Sequence, residues 1–248
     1  MLYLIGLGLN EKSLSFEGIE AIKKCEKIYL ENYTIEFPYS FEKLEKIINS
    51  RLRLVSSNAG GLVTSAKSLG KKIISANREF VESNKLIKEA KKEDVALLVY
   101  GSPLTATTHI ALIQEAKKEK IKYEIIYNAS VLDGVAECGL QLYKFGKITS
   151  IPNLEADSFI DVVKKNQKIN SHSLILVDIG LSFENAIRRL EKIERDKIVV
   201  CSKLGTKEKK IFYGTLKELK DKDIKAPFCF IIPGKLHFLE KEVLESHI

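Results

Sequence analysis

The sequence predicts an α/β protein built from two α/β domains, and three observations carry that expectation. Asp94–Tyr100 reads DVALLVY, with five consecutive aliphatic residues, the signature of a strand buried on both faces in a parallel sheet. Short apolar runs alternate with segments of helical periodicity along the first 128 residues. The strand and helix pattern then restarts near residue 130. The expected domains are therefore 1–128 and 129–248. No repeat of fixed period is visible.

The elements follow in order. Leu2–Leu7 is a short apolar strand ending in Gly6-Leu7-Gly8. Ser13 and Ser15 offer N-caps for a helix over about 16–25, where Ile19, Ile22 and Cys25 share a face. Lys27–Tyr33 is a second strand. Phe41, Leu44, Ile47 and Ile48 have helical spacing. Arg51–Val55 alternates, which predicts a strand, and residues 60–90 read as helical with a break at Leu69-Gly70. The DVALLVY strand stops at Gly101-Ser102-Pro103, and Thr105–Lys118 reads as a helix capped by Thr105. Tyr123–Tyr127 is a strand ending near Ala129-Ser130. A glycine-punctuated helical stretch follows, SVLDGVAECGLQLYKFG. The second half carries strands at Ile148–Ile151, Ser173–Val177, Ile198–Cys201 and Phe228–Ile232, with helices at 157–168, 182–193 and 235–246.

Composition excludes several classes. The chain has 248 residues, 45% hydrophobic and 29% charged, which is ordinary for a globular protein large enough to bury real cores. Mean hydropathy is −0.06, and no apolar run approaches the ~18 residues of a membrane span. The start, MLYLIGLGLN, lacks the basic region of a signal peptide. Cys25, Cys138, Cys201 and Cys229 lie far apart with no CxxC pair, as expected of reduced cysteines in a cytoplasmic protein, and no His/Cys/Asp cluster has metal-ligand spacing. The net charge is +7, but most lysines alternate with glutamates, as in EAKKEKIK, and only six basic residues are arginine. That is the pattern of solvated helix faces and not of a nucleic-acid groove.

Two glycine turns are candidates for a ligand site, each equally open to a purely structural reading, as a plain tight turn or as the capped start of a helix. Gly6-Leu7-Gly8 lacks the third glycine of a dinucleotide fingerprint. It remains a glycine turn at the carboxyl end of a strand, as does Gly101-Ser102-Pro103-Leu104. Carboxyl ends of parallel strands are where open α/β sheets bind ligands, and Ala129-Ser130 ends a third strand. His109, His237, Glu31 and Tyr33 are each open to a structural or a functional role. His172 and His247 read as surface residues.

Five segments together resemble the diphthine synthase family, a branch of the tetrapyrrole-methylase-like (class III) methyltransferases. They are LYLIGLGL with SLSFEGIEAIKKCEKIYLENYT; YGSPLTATTH, similar to the pattern G-D-P-L-x-A-T-T-H; IIYNASV; GLQLYKFGK; and IIPGKLHFLE. GLQLYKFG and PGKLHF distinguish this branch from tetrapyrrole and ribosomal-RNA methylases. The resemblance implies a tetrapyrrole methylase-like fold of two α/β domains with a cofactor cleft between them, and a homodimer. It implies S-adenosyl-L-methionine as methyl donor. It also implies N-methylation of the 3-amino-3-carboxypropyl-histidine of translation elongation factor 2 to diphthine, in diphthamide biosynthesis. No nucleic-acid substrate, membrane or metal is implied. The cofactor-binding positions carried over are Leu9, Ser102, Thr105, Ser130, Val131, Val177, Leu204 and Phe228. No catalytic base is assigned. Three departures stand out: Ser102 replaces the family's aspartate, LSFENAI departs from T-A-N-E-A, and Phe228 stands where histidine is common. The alternatives are a class III methyltransferase acting on a tetrapyrrole or ribosomal RNA, and a degenerate relative that binds without catalysis.

Overall fold

The first strand, β1 (Leu2–Gly6), is buried along its whole length, as its uninterrupted apolar run requires. The computed structural model describes residues 1–57, 70–193 and 196–248. They form two units, Met1–Ser130 and Val131–Ile248.

In the first unit, β1 is followed by α1 (Phe16–Lys24), β2 (Lys27–Glu31), α2 (Phe41–Ser57), β3 (Ile73–Ala76), α3 (Arg78–Glu82), α4 (Lys85–Ala90), β4 (Val95–Val99), α5 (Ile110–Lys118) and β5 (Tyr123–Ile126). The strands form one parallel sheet in the order β3-β2-β4-β1-β5. Strand residues alternate between two cores. Tyr3, Ile5, Ile28, Leu30 and Leu98 pack with Ile19 and Ile22 of α1 and Leu44, Ile48 and Leu52 of α2. Leu2, Leu4, Leu97 and Val99 pack with Leu86 and Ile87 of α4 and Leu112, Ile113 and Ala116 of α5. Helices therefore cover both faces, which is why β1 and β4 are apolar at every position. Ser15 caps α1, its hydroxyl accepting from the Gly18 N–H at 3.0 Å.

The second unit runs through α6 (Val131–Gly134), short 3₁₀ turns over 135–138 and 142–144, β6 (Thr149–Ile151), α7 (Ser158–Lys168), β7 (Ser173–Val177), α8 (Phe183–Arg189), β8 (Ile198–Ser202), β9 (Lys210–Gly214), α9 (Leu216–Lys220), β10 (Phe228–Ile232) and α10 (Phe238–Glu245). Its sheet has the order β6-β7-β10-β8-β9. Only β6 and β7 pair in parallel; β10 is antiparallel to both neighbours, and β8 is antiparallel to β9. Phe159, Val163, Ile187, Leu190 and Leu219 from the helices bury one face against Ile151, Ile175, Val200, Phe230 and Ile232.

The structure corrects several expectations. Arg51–Val55 is not a strand: α2 runs through it. The Arg-Leu-Arg-Leu alternation is overridden by Leu44, Ile48 and Leu52, which recur at helical spacing and are almost wholly buried. Within the helical expectation for 60–90, residues 60–69 lie outside the described residues, and β3 occupies 73–76 as an edge strand too short to show a period. The helix expected from Thr105 starts at Ile110, because Ala106 has a left-handed φ of +56° that no helix start accommodates. The stretch after Ser130 is one helical turn and two 3₁₀ turns. Edge strand β9 and helix α9 were not expected from the sequence.

The helical reading of residues 51–55 is testable, since residues 52 and 54 would share a face in a strand but not in a helix. Leu52→Ala is expected to cost about 2–5 kcal/mol in urea denaturation. Leu54→Ala, at a position 62% exposed, should change stability by only about 0.5 kcal/mol. Equal large losses at both positions would contradict the helix.

Candidate functional site

The order of the first sheet creates one topological switch point. From β1 the chain crosses through α1 to β2, which lies beyond β4. From β4 it crosses through α5 to β5, on the far side of β1. The two crossovers lie on opposite faces, the topology that in open α/β sheets places the ligand site outside the carboxyl ends of the strands, here β1 and β4.

Both turns there end in glycine. Gly8 donates its N–H to the Gly101 carbonyl at 3.1 Å, and Gly101 returns the bond to Gly8 at 3.0 Å. Each has φ of +71°, a conformation that costs glycine nothing and other residues much. A Cβ on Gly8 would also fall 2.4 Å from Ser13 Cβ. The turns from β1 and β4 are thus joined backbone to backbone.

Leu9 and Ser102 follow these glycines and are 7% exposed; Ser130, beyond β5, is 5% exposed. Gly101 lies against Ser130, since a Cβ on it would stand 3.5 Å from Ser130 Cα. The Leu9 carbonyl accepts from the Tyr100 hydroxyl at 2.9 Å, and the Thr105 N–H donates to the Ser102 carbonyl at 3.1 Å. Four of the residues expected at a cofactor site, Leu9, Ser102, Thr105 and Ser130, therefore belong to the three turns around one switch point.

Asn128 is a brace that the sequence reading did not single out. Its amide nitrogen donates to the Gly6 carbonyl at 3.1 Å and the Ser13 carbonyl at 2.9 Å, and its oxygen accepts from the Ala129 N–H at 2.8 Å. One side chain ties the β5 turn to the β1 turn. Arg51 adds support from α2, donating to the carbonyls of Leu14 at 2.6 Å and Lys12 at 2.7 Å. The available signal was an asparagine directly after the apolar strand run in IIYNASV, at the strand's carboxyl end.

Glu31, Tyr33 and His109 meet beside the β4 turn. His109 is 1% exposed. Its Nδ1 faces the Pro103 carbonyl at 2.9 Å, and its Nε2 lies 2.5 Å from Glu31 Oε2 and 3.4 Å from the Tyr33 hydroxyl. Glu31 Oε2 has no other hydrogen-bond partner, so the ring is the group that answers it, as an ion pair when His109 is protonated. Both ring nitrogens thus face acceptors, and the imidazolium is the form this site fits. Burial drives the His109 pKa down, but Glu31 and the Pro103 carbonyl outweigh it and leave the pKa above its ordinary value. Burial, with Glu31 adding to it, pushes the Tyr33 phenol far up, so it stays protonated.

In the second unit, Val177 ends β7, Leu204 follows β8, and Phe228 opens β10. Phe228 pairs with Ser202, and continuing the β7–β10 register sets Val177 opposite Phe228. The Lys203 N–H donates to the Pro227 carbonyl at 2.8 Å. All three residues thus gather at one end of the sheet. Phe228 packs edge-to-face on Phe183 and Phe230, with ring centroids 5.5 and 5.7 Å apart. Val131 begins α6 and is half-buried.

His172 is not a surface residue. It is fully buried against Glu240, because the two motifs GLQLYKFG and PGKLHF fold onto it. Glu240 accepts from the N–H groups of Gln141 at 3.0 Å and His237 at 2.7 Å, from His172 Nε2 at 3.1 Å, and from Lys144 Nζ. His172 Nδ1 accepts from the Gly234 N–H at 2.8 Å. This imidazole carries a single proton, on Nε2. His237 caps α10 in a reciprocal box with Glu240.

Two outcomes follow for these networks. Asn128→Ala should lower stability by about 1–3 kcal/mol, because it strands partly buried carbonyls without donors; chemical denaturation measures it. For the second network, burial opposes the charge on Glu240, yet its donors hold the pKa at about 2, below the ordinary 4.5. Its contribution is present above pH 4.5 and is lost as pH falls to about 2. Burial lowers the His172 pKa from 6.5, so its contribution also fades as pH falls below that value. Stability should decline from pH 6.5 downward, by on the order of 3 kcal/mol for the Glu240 part. Glu240→Gln should flatten the lower part of that profile, and an unchanged acid slope in Glu240→Gln would refute the assignment.

The chain is similar throughout to known proteins. Residues 1–220 match the model of the Tetrapyrrole (Corrin/Porphyrin) Methylases. Diphthine synthase of Methanococcus vannielii is 38% identical, the match covering 99% of this chain and 98% of the relative. Diphthine methyl ester synthase of Dictyostelium discoideum is 37% identical, with 99% and 97% covered. A crystal structure of diphthine synthase superposes with a TM-score of 0.85 at 29% identity, covering 99% and 95% of the two chains. Full-length similarity of this degree, on a fold whose switch point carries two bridged glycine turns, makes this chain a member of the tetrapyrrole methylase family, in its diphthine synthase branch, and a methyltransferase.

Proposed function

We propose that this enzyme transfers methyl groups from S-adenosyl-L-methionine to the amino group of the 3-amino-3-carboxypropyl-histidine of translation elongation factor 2, yielding diphthine in diphthamide biosynthesis. The observation that carries the reading is the pair of bridged turns at the switch point of the first sheet, together with relatives named for this product. A homodimeric, cytoplasmic enzyme with a protein acceptor is part of the proposal.

The residues present suit such a donor. Leu9, Ser102, Thr105 and Ser130 in the first unit, and Val131, Val177, Leu204 and Phe228 in the second, are the proposed contacts. They offer turn backbone, short hydroxyls and apolar surface, which fit an adenosine and an amino acid carrying a sulfonium. The donor supplies an activated methyl group when bound. The chain's task is to hold that methyl in line with the acceptor nitrogen and to exclude water. An amine attacks once neutral, and it can lose its proton to water beforehand, so no strong base is needed. Accordingly, no side chain is assigned as a base.

The Dictyostelium relative is named for a methyl ester, which supports a second acceptor atom, the carboxylate of the same group. Incubation of elongation factor 2 bearing the precursor with labelled donor, followed by mass counting of the added methyls, separates amine-only products from an ester, which alkali removes. Absence of label on that protein, with label on RNA or a tetrapyrrole, would refute the acceptor. Thr105→Arg, on a half-exposed turn position, should fold normally and bind the donor about tenfold or more weakly by calorimetry. Unchanged affinity would remove the β4 turn from the site.

A further inference from the structure

We propose that the buried His109–Glu31 ion pair is the positioning device of the β4 turn, holding Ser102–Thr105 in the shape that receives the methyl donor; this rests on the donor reading above. The geometry begins at one carbonyl. Pro103 O accepts from His109 Nδ1 at 2.9 Å and from the Thr107 hydroxyl at 2.7 Å. Both of its lone pairs are engaged, so the peptide plane after Pro103 cannot rotate freely. The neighbouring Ser102 carbonyl is closed by the Thr105 N–H. Behind the ring, Glu31 ends β2 and is 1% exposed, and the Thr34 hydroxyl donates to its other oxygen. The turn after β4 is thereby fastened to the end of β2 through a single imidazolium.

The charge of that ring decides the fastening. Losing one proton leaves a ring nitrogen lone pair facing either the Pro103 carbonyl or the Glu31 carboxylate, and one of the two ties becomes repulsive. Other groups face the ring as well. Tyr33 approaches it from the segment after β2, with Arg78 5.2 Å above the tyrosine ring. Glu82 of α3 and Glu115 of α5 line, with Thr108 and His109, a groove of about 390 Å³. Glu82, like Glu31, favours the protonated ring. His109 and Glu31 touch no proposed donor contact other than through the turn, so they are positioning residues and not catalytic ones.

Donor binding must therefore be linked to His109 protonation, and the linkage is reciprocal. Donor affinity is measured by calorimetry from about pH 6 to about pH 9 for the natural protein, His109→Gln, Glu31→Gln and the double variant. The His109 titration is followed by NMR of ring-labelled histidine, with and without the demethylated product. Affinity of the natural protein should fall as pH rises through the raised His109 pKa, by about fivefold more than in His109→Gln, where the donor's own titration is the same. Ligand should raise the His109 pKa correspondingly, by about 0.7 units. Each single variant should bind more weakly, and the double should recover affinity, because two neutral amides leave no unpaired buried charge. A His109 pKa that ligand does not move overturns the proposal, and that measurement needs no variant to fold. So do variants that melt at lower temperature yet keep the natural affinity and pH profile. If the natural protein binds no donor at any pH, the donor reading falls and takes this inference with it; binding without the linkage removes this inference alone.

Discussion

The reciprocal backbone pair between Gly8 and Gly101 is the constraint on which the first unit's site depends. Two parallel strands have no reason to stay in contact once their chains turn away to opposite faces of the sheet. Here they remain joined for one more step, by two hydrogen bonds that need positive φ on both sides. Everything nearby is referred to that bridge. Asn128 fastens the third turn to the first, Tyr100 holds the Leu9 carbonyl, and His109 fastens the second turn to β2. These turns carry few charged side chains; the backbone itself is the fixed part, and the charges sit one layer behind it.

Two buried histidine–glutamate pairs show how the second partner of an imidazole sets its proton count. His109 and His172 are each almost fully buried and each meets a buried glutamate through Nε2. Their pKa values move in opposite directions. Burial opposes a second proton on both rings; Glu31 prevails over it at His109, while Lys144 adds to it at His172, and the partners of Nδ1 act in the same direction. For His109 that nitrogen meets a carbonyl, which only accepts, so a second proton is stabilised. For His172 it meets the Gly234 N–H, which only donates, so a second proton is excluded, and Lys144 already supplies the positive charge that Glu240 needs. The first pair is thereby sensitive to pH on the alkaline side, and the second on the acid side. The second pair joins GLQLYKFG to PGKLHF, which makes those motifs a structural clasp within their unit.

Much of the fold was legible in the sequence wherever burial on both sides leaves a long apolar signature. The strands β1, β4, β7 and β10 declare themselves in this way. The edge strands β3 and β9 did not, since β3 spans four residues and β9, though five long, is only part-covered and opens on a lysine. Arg51–Val55 misled because four alternating residues outweighed a helical face whose earlier members, Leu44 and Ile48, lie a turn or more away. Of the site, the glycine turns were visible, because glycine before a helix has few other uses. The pairing of Glu31 with His109 across 78 positions of sequence, and of His172 with Glu240, was not, since contact between distant residues leaves no local pattern.

Ser102 gathers these threads. The family pattern puts aspartate there, and a carboxylate would attract a sulfonium. In this chain the position is 7% exposed, its carbonyl is already bonded to Thr105, and the nearest turn residues present glycine and proline. A carboxylate at that depth would need donors of its own or carry a desolvation cost of several kcal/mol. Serine avoids that cost while keeping one donor and one acceptor for the bound molecule. Methyl transfer depends chiefly on alignment of nitrogen, carbon and sulfur, and in the proposed site that alignment would rest on the bridged backbone and the His109 tie. A site that works by geometry can lose a charge at its rim more safely than it can lose the glycine that shapes the rim.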